Sequence, residues 1–587
     1  MHNNNAQFRK MLDDRFGIFV HYGIYSEMAG SFNGQETTWL GEWIQKKLEI
    51  PIAEYEAFGR ANFKPREDFA KNLVSAAKAA GAKYIVLTSK HHDGFCLFKS
   101  DYSDYSTYDF FGRDICKELS DECKKQGLEL GLYYSHTLDW HEKDAGGNTY
   151  SASGSPAKNR NYWDFPNDNI EFDKYLYGKC FPQVKELLTN YGDLKLIWFD
   201  FPHDITKAQS QELRALVKSI QPNCQINSRI AHDCCDYKSL GDNVLPIAPV
   251  GENLECLITL NDTWGYKRQD SNWKSAKEVA TILCRTLTSD ASLLLNVGPM
   301  GDGSLTTETT DILKSMGEWT TRNKEAIYDG ICGNPFPNLF PWGFVSQKES
   351  CLYLYVTDST KKEISLNIGE DNTIKNISVL SVDKEISYTF ENGIINICTI
   401  DTDLMIPVYK IQLEQKLTLS EEIYQHGEAM SLAVLWAHKF KISDNQKNKE
   451  KLIYEKSPFV EGYGKHGLCV NKQCQSDFWK DDDEVMCWDV NFAECGKYIA
   501  EVISLPIAEN QKPCDFTLSL DDNSNPVDMK KEKGRYNISR TGVENLRVRH
   551  DAGVFEIKSK GLYQVLLKRS KNNEEVHIEK IDFIKIQ

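Results

Sequence analysis

No run of about 18 or more apolar residues occurs anywhere in the 587-residue sequence, so nothing in it reads as a membrane-spanning helix. Positive charge is also in short supply. Against 69 Lys and Arg stand 85 Asp and Glu, a net charge of −16. Phosphate binding needs a positive surface, so nucleic acid is excluded as the main partner and a neutral substrate is the default. The 17 cysteines are scattered and include no C-x-x-C pair. That is neither a zinc site nor an obvious disulfide framework, and the odd count points to free, mostly buried thiols. Histidines at the H-x-x-x-H spacing of a metal helix are absent too. There is no internal repeat, and no low-complexity segment beyond a Lys/Asn/Asp-rich loop at 443–451. The opening MHNNNAQFRKMLDDRF lacks the apolar core of a signal peptide. Localisation therefore stays open: secreted or periplasmic if an export signal has been trimmed, otherwise cytoplasmic.

What the sequence has is a rhythm. FGIFVHYG (16–23) is an aromatic and β-branched run closed by glycine. EDFAKNLVSAAKAAGA (67–82) has helical apolar spacing and leads into the buried strand KYIVLTS (83–89). RDICKELSDECKKQGL (113–128) then leads into ELGLYYS (129–135), KCFPQVKELLTNYG (179–192) into LKLIWFD (194–200), and SQELRALVKSIQP (210–222) into CQINSRI (224–230). SAKEVATILCRTLTSDASLLLNVGP (275–299) repeats the unit, and DILKSMGEWTTRNKEAIY (311–328) supplies a last helix. Helix, glycine and buried strand in repetition describe a parallel sheet. The expected fold is α/β, a (β/α)8-like barrel over residues 1–330.

Beyond residue 330 short alternating strands such as CLYLYVTD, EISLNI and VYKIQL are separated by Asp, Asn, Lys and Gly. These predict an antiparallel β-sandwich over 331–415 and a second over 416–587. The pattern WDVNFAECGKYIAEVISL in the second loosely resembles carbohydrate-binding sandwich modules. A sugar-binding role and a structural brace on the barrel are equally open there.

Barrel enzymes carry their chemistry at the C-terminal ends of the strands. Reading those ends gives His21, then His91-His92-Asp93, then Tyr133-Tyr134, then Asp200 preceded by Trp198, then Arg229. A lone strand-end Asp is as readily a turn or cap residue, but five polar ends aimed at one rim favour catalysis for Asp200. His91 and His92 invite a metal reading, yet no further ligands stand at metal spacing. Hydrogen bonding to sugar hydroxyls suits them better, and a locally satisfied core histidine is the plain alternative.

The segments RFGIFVHYGIYS, GEWIQ, KHHDGFCLFKS, LGLYYSHTLDW, LIWFD, INSRI and NDTWGYKR, in that order, resemble the motifs of family 29 glycoside hydrolases, the α-L-fucosidases. LLLNVGPMGDG and GEWTTRNKEAIYDG are similar to the end of that family's barrel. The resemblance spans about residues 8–415. It implies that Asp200 is the nucleophile and that His21, Glu42, Trp43, His91, His92, Tyr134, Trp198 and Arg229 surround the fucose ring. Physics agrees with these types: His, Glu and Arg bond hydroxyls, while Trp and Tyr faces pack against the C–H side and the C5 methyl.

A retaining glycosidase needs a second carboxylate about 5–5.5 Å from the first. Counting back from Trp264-Gly265-Tyr266, Glu255 is the expected acid/base, with Leu254 standing where relatives usually carry Trp. Glu252 is the alternative, ahead of Glu42 and the carboxylates of DCCDYKSLGD (233–242). The expected function is a retaining exo-α-L-fucosidase. It would remove terminal α-L-fucose from a fucosylated oligosaccharide or glycoprotein glycan through a covalent fucosyl-enzyme, with no metal or organic cofactor. Two alternatives are a non-catalytic fucose-binding protein on the same barrel and a glycosidase for a related sugar such as α-L-galactose. Linkage preference depends on the loops 141–178 and 231–252 and is not legible, nor is oligomeric state.

Overall fold

The computed structural model describes residues 13–147, 158–167, 169–251, 253–419, 422–444, 448–455, 467–471, 474–479, 481–508, 510–511, 515–541, 545–570 and 576–586. Eight strands make the first sheet: β1 (Phe16–Val20), β2 (Tyr84–Lys90), β3 (Glu129–Ser135), β4 (Leu196–Asp200), β5 (Gln225–Ile226), β6 (Lys238–Ser239), β7 (Leu254–Thr259) and β8 (Ala291–Val297). They are all parallel, in the order β5-β4-β3-β2-β1-β8-β7-β6. A parallel bridge between Asn227 and Tyr237 joins the two edges, so the sheet curls into a barrel.

Strand alternation sorts the side chains. On β4, Leu196, Trp198 and Asp200 face the barrel axis, whereas Ile197 and Phe199 pack outward under the helices. The interior is filled by Phe19, Tyr84, Val86, Tyr133, Leu196, Trp198, Tyr237, Leu257 and Leu294, so it is a packed core and not a pore.

Six helices cover the outside: α1 (Phe69–Ala79), α2 (Ile115–Gln126), α3 (Phe181–Asn190), α4 (Lys207–Ile220), α5 (Ala276–Thr288) and α6 (Thr307–Arg322). Local sequence starts them firmly. Thr206 and Gln209 form a capping box for α4, and Ser275 and Glu278 form one for α5. Among the described residues no α-helix lies between β5 and β6 or between β6 and β7.

Two readings of the sequence change here. CQINSRI (224–230) was expected as one strand, but β5 keeps only two residues and Arg229 sits in a 3-10 turn, Ser228–Ile230. LECLIT, which carries the expected acid/base Glu255, is strand β7 and is buried throughout.

Residues 343–413 form a four-stranded and a three-stranded antiparallel sheet closed over their own core. Residues 423–585 form a second sandwich of a larger sheet, which includes one short parallel strand, and a five-stranded antiparallel sheet. Two barrel-loop residues, Ile247 and Ala248, are buried in the core of that second sandwich.

Close packing of α6 on α1 gives a stability test. A Cβ added to Gly317 would lie 2.1 Å from the carbonyl oxygen of Ala79. Gly317→Ala must therefore push two helices apart, and urea unfolding should show a loss of about 1–3 kcal/mol.

Candidate functional site

A cavity of about 200 Å³ opens at the C-terminal ends of the barrel strands, large enough for one sugar ring. Phe19 and Leu257 belong to its apolar lining, and His21, Glu42, Trp43, His91, His92, Tyr133, Trp198, Asp200, Phe201, Arg229, Asp242 and Trp264 are among its walls. Eight of the ten residues singled out from the sequence besides Glu252, Asp200 among them, line this cavity.

Asp200 ends β4 with its side chain 14% exposed. Its Oδ1 accepts from Arg229 Nη1 at 2.8 Å and from the Phe201 amide at 2.9 Å, and its Oδ2 accepts from Tyr133 Oη at 2.9 Å. His92 Nε2 stands 3.7 Å away. Burial alone would raise the acid's pKa. The Arg229 charge and the Arg229 and Tyr133 hydrogen bonds outweigh it and hold the carboxyl below its ordinary value, so Asp200 is ionised at neutral pH.

The histidines are neutral. Burial lowers His21 to about 4, and burial together with its histidine neighbours holds His91 well below the usual range. Burial and the Lys90 charge do the same to His92. His21 Nδ1 pairs with Asn296 Oδ1 at 2.7 Å, and His92 Nδ1 pairs with Ser135 Oγ at 2.7 Å. His91 and His92 follow a register shift in β2 between Thr88 and Lys90, and both rings reach the cavity just beyond the strand end.

The aromatic walls are stacked. The Tyr133 ring lies 5.6 Å from Trp198 at 16° and 5.6 Å from His91 at 15°. The Arg229 guanidinium lies 4.8 Å from the Trp198 ring centroid. Trp43 meets His92 edge-on at 5.1 Å.

Glu42 is 1% exposed. Its Oε2 accepts from the Gly265 amide at 2.8 Å and from Thr263 Oγ1 at 3.2 Å, while Oε1 is buried without a partner among the described residues. Burial pushes this carboxyl up to about 7, against the lowering effect of those bonds.

Two expectations are corrected. Tyr134 does not reach the cavity: it lies on the outer face of β3, where its hydroxyl donates to Gln183 Oε1 at 2.8 Å. Its neighbour Tyr133 faces inward and holds the strand-end carboxylate. Glu255 does not reach the cavity either. It precedes Leu257 by two residues on the inward face of β7 and so lies one layer deeper, with no exposure. There it accepts from Trp198 Nε1 at 2.8 Å and Tyr84 Oη at 3.2 Å, and burial pushes it up to about 7. Glu252 lies outside the described residues.

Two further cavity residues stood out less sharply in the sequence, Asp242 only as one of the carboxylates of 233–242 and Trp264 only as part of a motif. Trp264 follows β7 within NDTWGYKR, and its ring lies 5.2 Å from His21. Asp242 lies three residues beyond β6 and, with its side chain 52% exposed, accepts from Arg229 Nη2. The strand-end rule finds both once β6 and β7 are known. Among the described residues no group of three or more His, Cys, Asp or Glu is placed to hold a metal.

A single-sugar cavity at a barrel rim, with an ionised aspartate beneath aromatic walls, is the working end of a glycoside hydrolase. Residues 2–325 match the family model described as Alpha-L-fucosidase, and the chain belongs to that family. An α-L-fucosidase from Vibrio sp. strain EJY3 superposes with TM-score 0.79 at 25% identity, over 99% of this chain and 98% of that one. The α-L-fucosidase AlfC from Lactobacillus casei, solved with α-L-fucose product, is 38% identical over 55% of this chain and 100% of its own, with TM-score 0.51. The α-L-fucosidase of Dictyostelium discoideum is 29% identical over 346 residues, 54% of this chain and 70% of that protein.

Burial brings the Glu42 carboxyl up to about 7, near neutrality. A carboxylate accepts a sugar hydroxyl better than a neutral acid, so affinity for L-fucose should rise as pH passes up through about 7. Calorimetry on Glu42→Gln should give weaker binding that no longer changes across that range.

Proposed function

We propose that this chain is a retaining exo-α-L-fucosidase in which Asp200 is the nucleophile and Asp242 the acid/base. The observation that carries the assignment is the Arg229 guanidinium, which donates to both carboxylates, through Nη1 to Asp200 and through Nη2 to Asp242. Two carboxylates on one guanidinium lie a few ångströms apart, the scale of the about 5–5.5 Å that direct attack by one of them requires.

The roles follow from exposure. Asp200 is buried, ionised and aimed at the interior of the single-ring cavity, where an anomeric carbon would lie. Asp242 is half exposed at the mouth, where the aglycone of a fucosylated oligosaccharide or glycoprotein glycan would leave. In the first step Asp242, in its protonated form, gives its proton to the leaving oxygen as Asp200 attacks the anomeric carbon. The bond from that carbon to the aglycone oxygen breaks, and the fucosyl ester forms. Esterification removes the Asp200 charge, so Arg229 then interacts with Asp242 alone and favours its ionised form. That state is the general base needed to activate water in the second step. His21, His91, His92 and Glu42 supply hydrogen bonds for the ring hydroxyls. Trp43, Trp198 and Trp264 supply apolar faces for its C–H side and methyl group.

Glu42 is the rival acid/base, favoured by its carboxyl near 7 and its unpartnered oxygen. Its other oxygen is anchored to Gly265 and Thr263 within the buried wall, which suits ring binding better than a leaving group at the mouth.

Hydrolysis of 4-nitrophenyl α-L-fucoside with azide present decides between them. Asp200→Gly should lose at least about 10³-fold in kcat and yield the inverted β-fucosyl azide. Asp242→Ala should be rescued to the retained α-fucosyl azide, and Glu42→Ala should not. Retained azide from Glu42→Ala alone would transfer the role to Glu42. In Tyr133→Phe the nucleophile loses one donor, its pKa rises, and the acid limb of kcat/KM should move up by about one pH unit.

A further inference from the structure

The gap in the helical coat beside β5, β6 and β7 is filled from the far end of the chain. The loop carrying Asp242 continues into Asn243, which has a left-handed backbone (φ 59°) and is 9% exposed. Its amide donates to Leu257 O at 3.0 Å, and its side-chain oxygen accepts from the Thr259 amide at 2.9 Å, so it is tied to β7. Thr259 Oγ1 donates to the same side-chain oxygen at 3.0 Å, and two further bonds come from the second sandwich. Asn545 Nδ2 donates to Asn243 O at 2.6 Å, and Thr541 Oγ1 donates to Asn243 Oδ1 at 3.1 Å. Lys274, 1% exposed, donates to Thr259 O at 2.7 Å and to Thr541 Oγ1. Asn545 and Thr541 are 0% and 4% exposed. Four residues further along the same loop, Ile247 enters the sandwich core.

We infer that Asn545 and Thr541 are positioning residues for catalysis: the C-terminal sandwich fixes Asn243, and through it sets where the neighbouring Asp242 carboxylate stands against the leaving group. The inference rests on Asp242 being the acid/base. The left-handed turn at Asn243 is uncommon for a residue with a Cβ and persists where its surroundings over-determine it. The main-chain oxygen of Asn243 is held by the sandwich, and its side-chain oxygen by the sandwich and β7 together, so the turn preceding Ile247 cannot shift without breaking buried hydrogen bonds. Asp242 itself takes its known bond from Arg229. Its side chain is thus held by the barrel while the backbone that follows it is held by a domain with no described residue in the cavity lining.

A positioning role for an acid has a signature that general loss of fold lacks. A fucoside with a 2,4-dinitrophenyl leaving group needs little protonation, whereas an alkyl fucoside depends on it. Asn545→Ala and Thr541→Val, in the full chain, should lower kcat/KM on the alkyl fucoside about 10- to 100-fold and leave the dinitrophenyl substrate within about twofold. Thr541→Ser, which keeps the hydroxyl, should restore the alkyl activity. Equal losses on both substrates, or no loss on either, would overturn the inference, and neither result depends on the fraction folded because the ratio is what is read. Asp242→Ala serves as the reference. If it shows no leaving-group selectivity the acid/base reading fails, and this inference fails with it. If Asp242→Ala is selective and the sandwich variants are not, only the positioning role is lost.

Discussion

A guanidinium in contact with two carboxylates carries less charge than the groups it serves, and much of this site follows from that imbalance. Arg229 cannot fully neutralise both Asp200 and Asp242, so one of them must borrow stabilisation elsewhere. Asp200 takes it from Tyr133 and the Phe201 amide, while Asp242 takes it from water at the mouth, being half exposed. The same guanidinium lies over Trp198, so its position is fixed by an aromatic face as well as by charge. Trp198 is in turn pinned through its indole nitrogen to Glu255 in the layer below. A chain of contacts thus runs from the barrel interior to the rim, and the reactive groups stand at its upper end.

Legibility from sequence tracked how much a residue's role depends on local pattern. Asp200 was legible because IWFD is a clean buried strand and alternation puts Trp198 and Asp200 on one face. His21, His91, His92 and Arg229 were legible for the same reason, even though β5 proved only two residues long. Tyr134 was mistaken for Tyr133 because both are aromatic and adjacent, and a single step along a strand reverses the face. The neighbouring β2 carries a register shift that no sequence pattern announced.

Glu255 shows a different limit. The carboxylate was placed by counting back from Trp264-Gly265-Tyr266, yet LECLIT is a fully buried strand. A buried acid with a raised pKa is the profile expected of a general acid, and Glu255 meets it at about 7. Burial that deep also removes it from any substrate, so the same number has opposite meanings at the rim and one layer down. Asp242 stood only as one of several carboxylates in 233–242, because β6 is a two-residue strand with no periodicity to read. The contribution of residues 541 and 545 was beyond any local pattern, since nothing in the sequence relates them to residue 243.

That separation has a consequence for how the molecule is made. Asn545 and its partner Asn243 lie 302 residues apart, and contacts so distant in sequence form late because loop closure must precede them. During synthesis the barrel strands leave the ribosome long before the last sandwich exists. Through that interval the edge beside β5, β6 and β7 lacks its cover, and Ile247 lacks the core that receives it. The nascent barrel therefore presents an unfinished seam at Ile247 and Ala248 until nearly the whole polypeptide has been released.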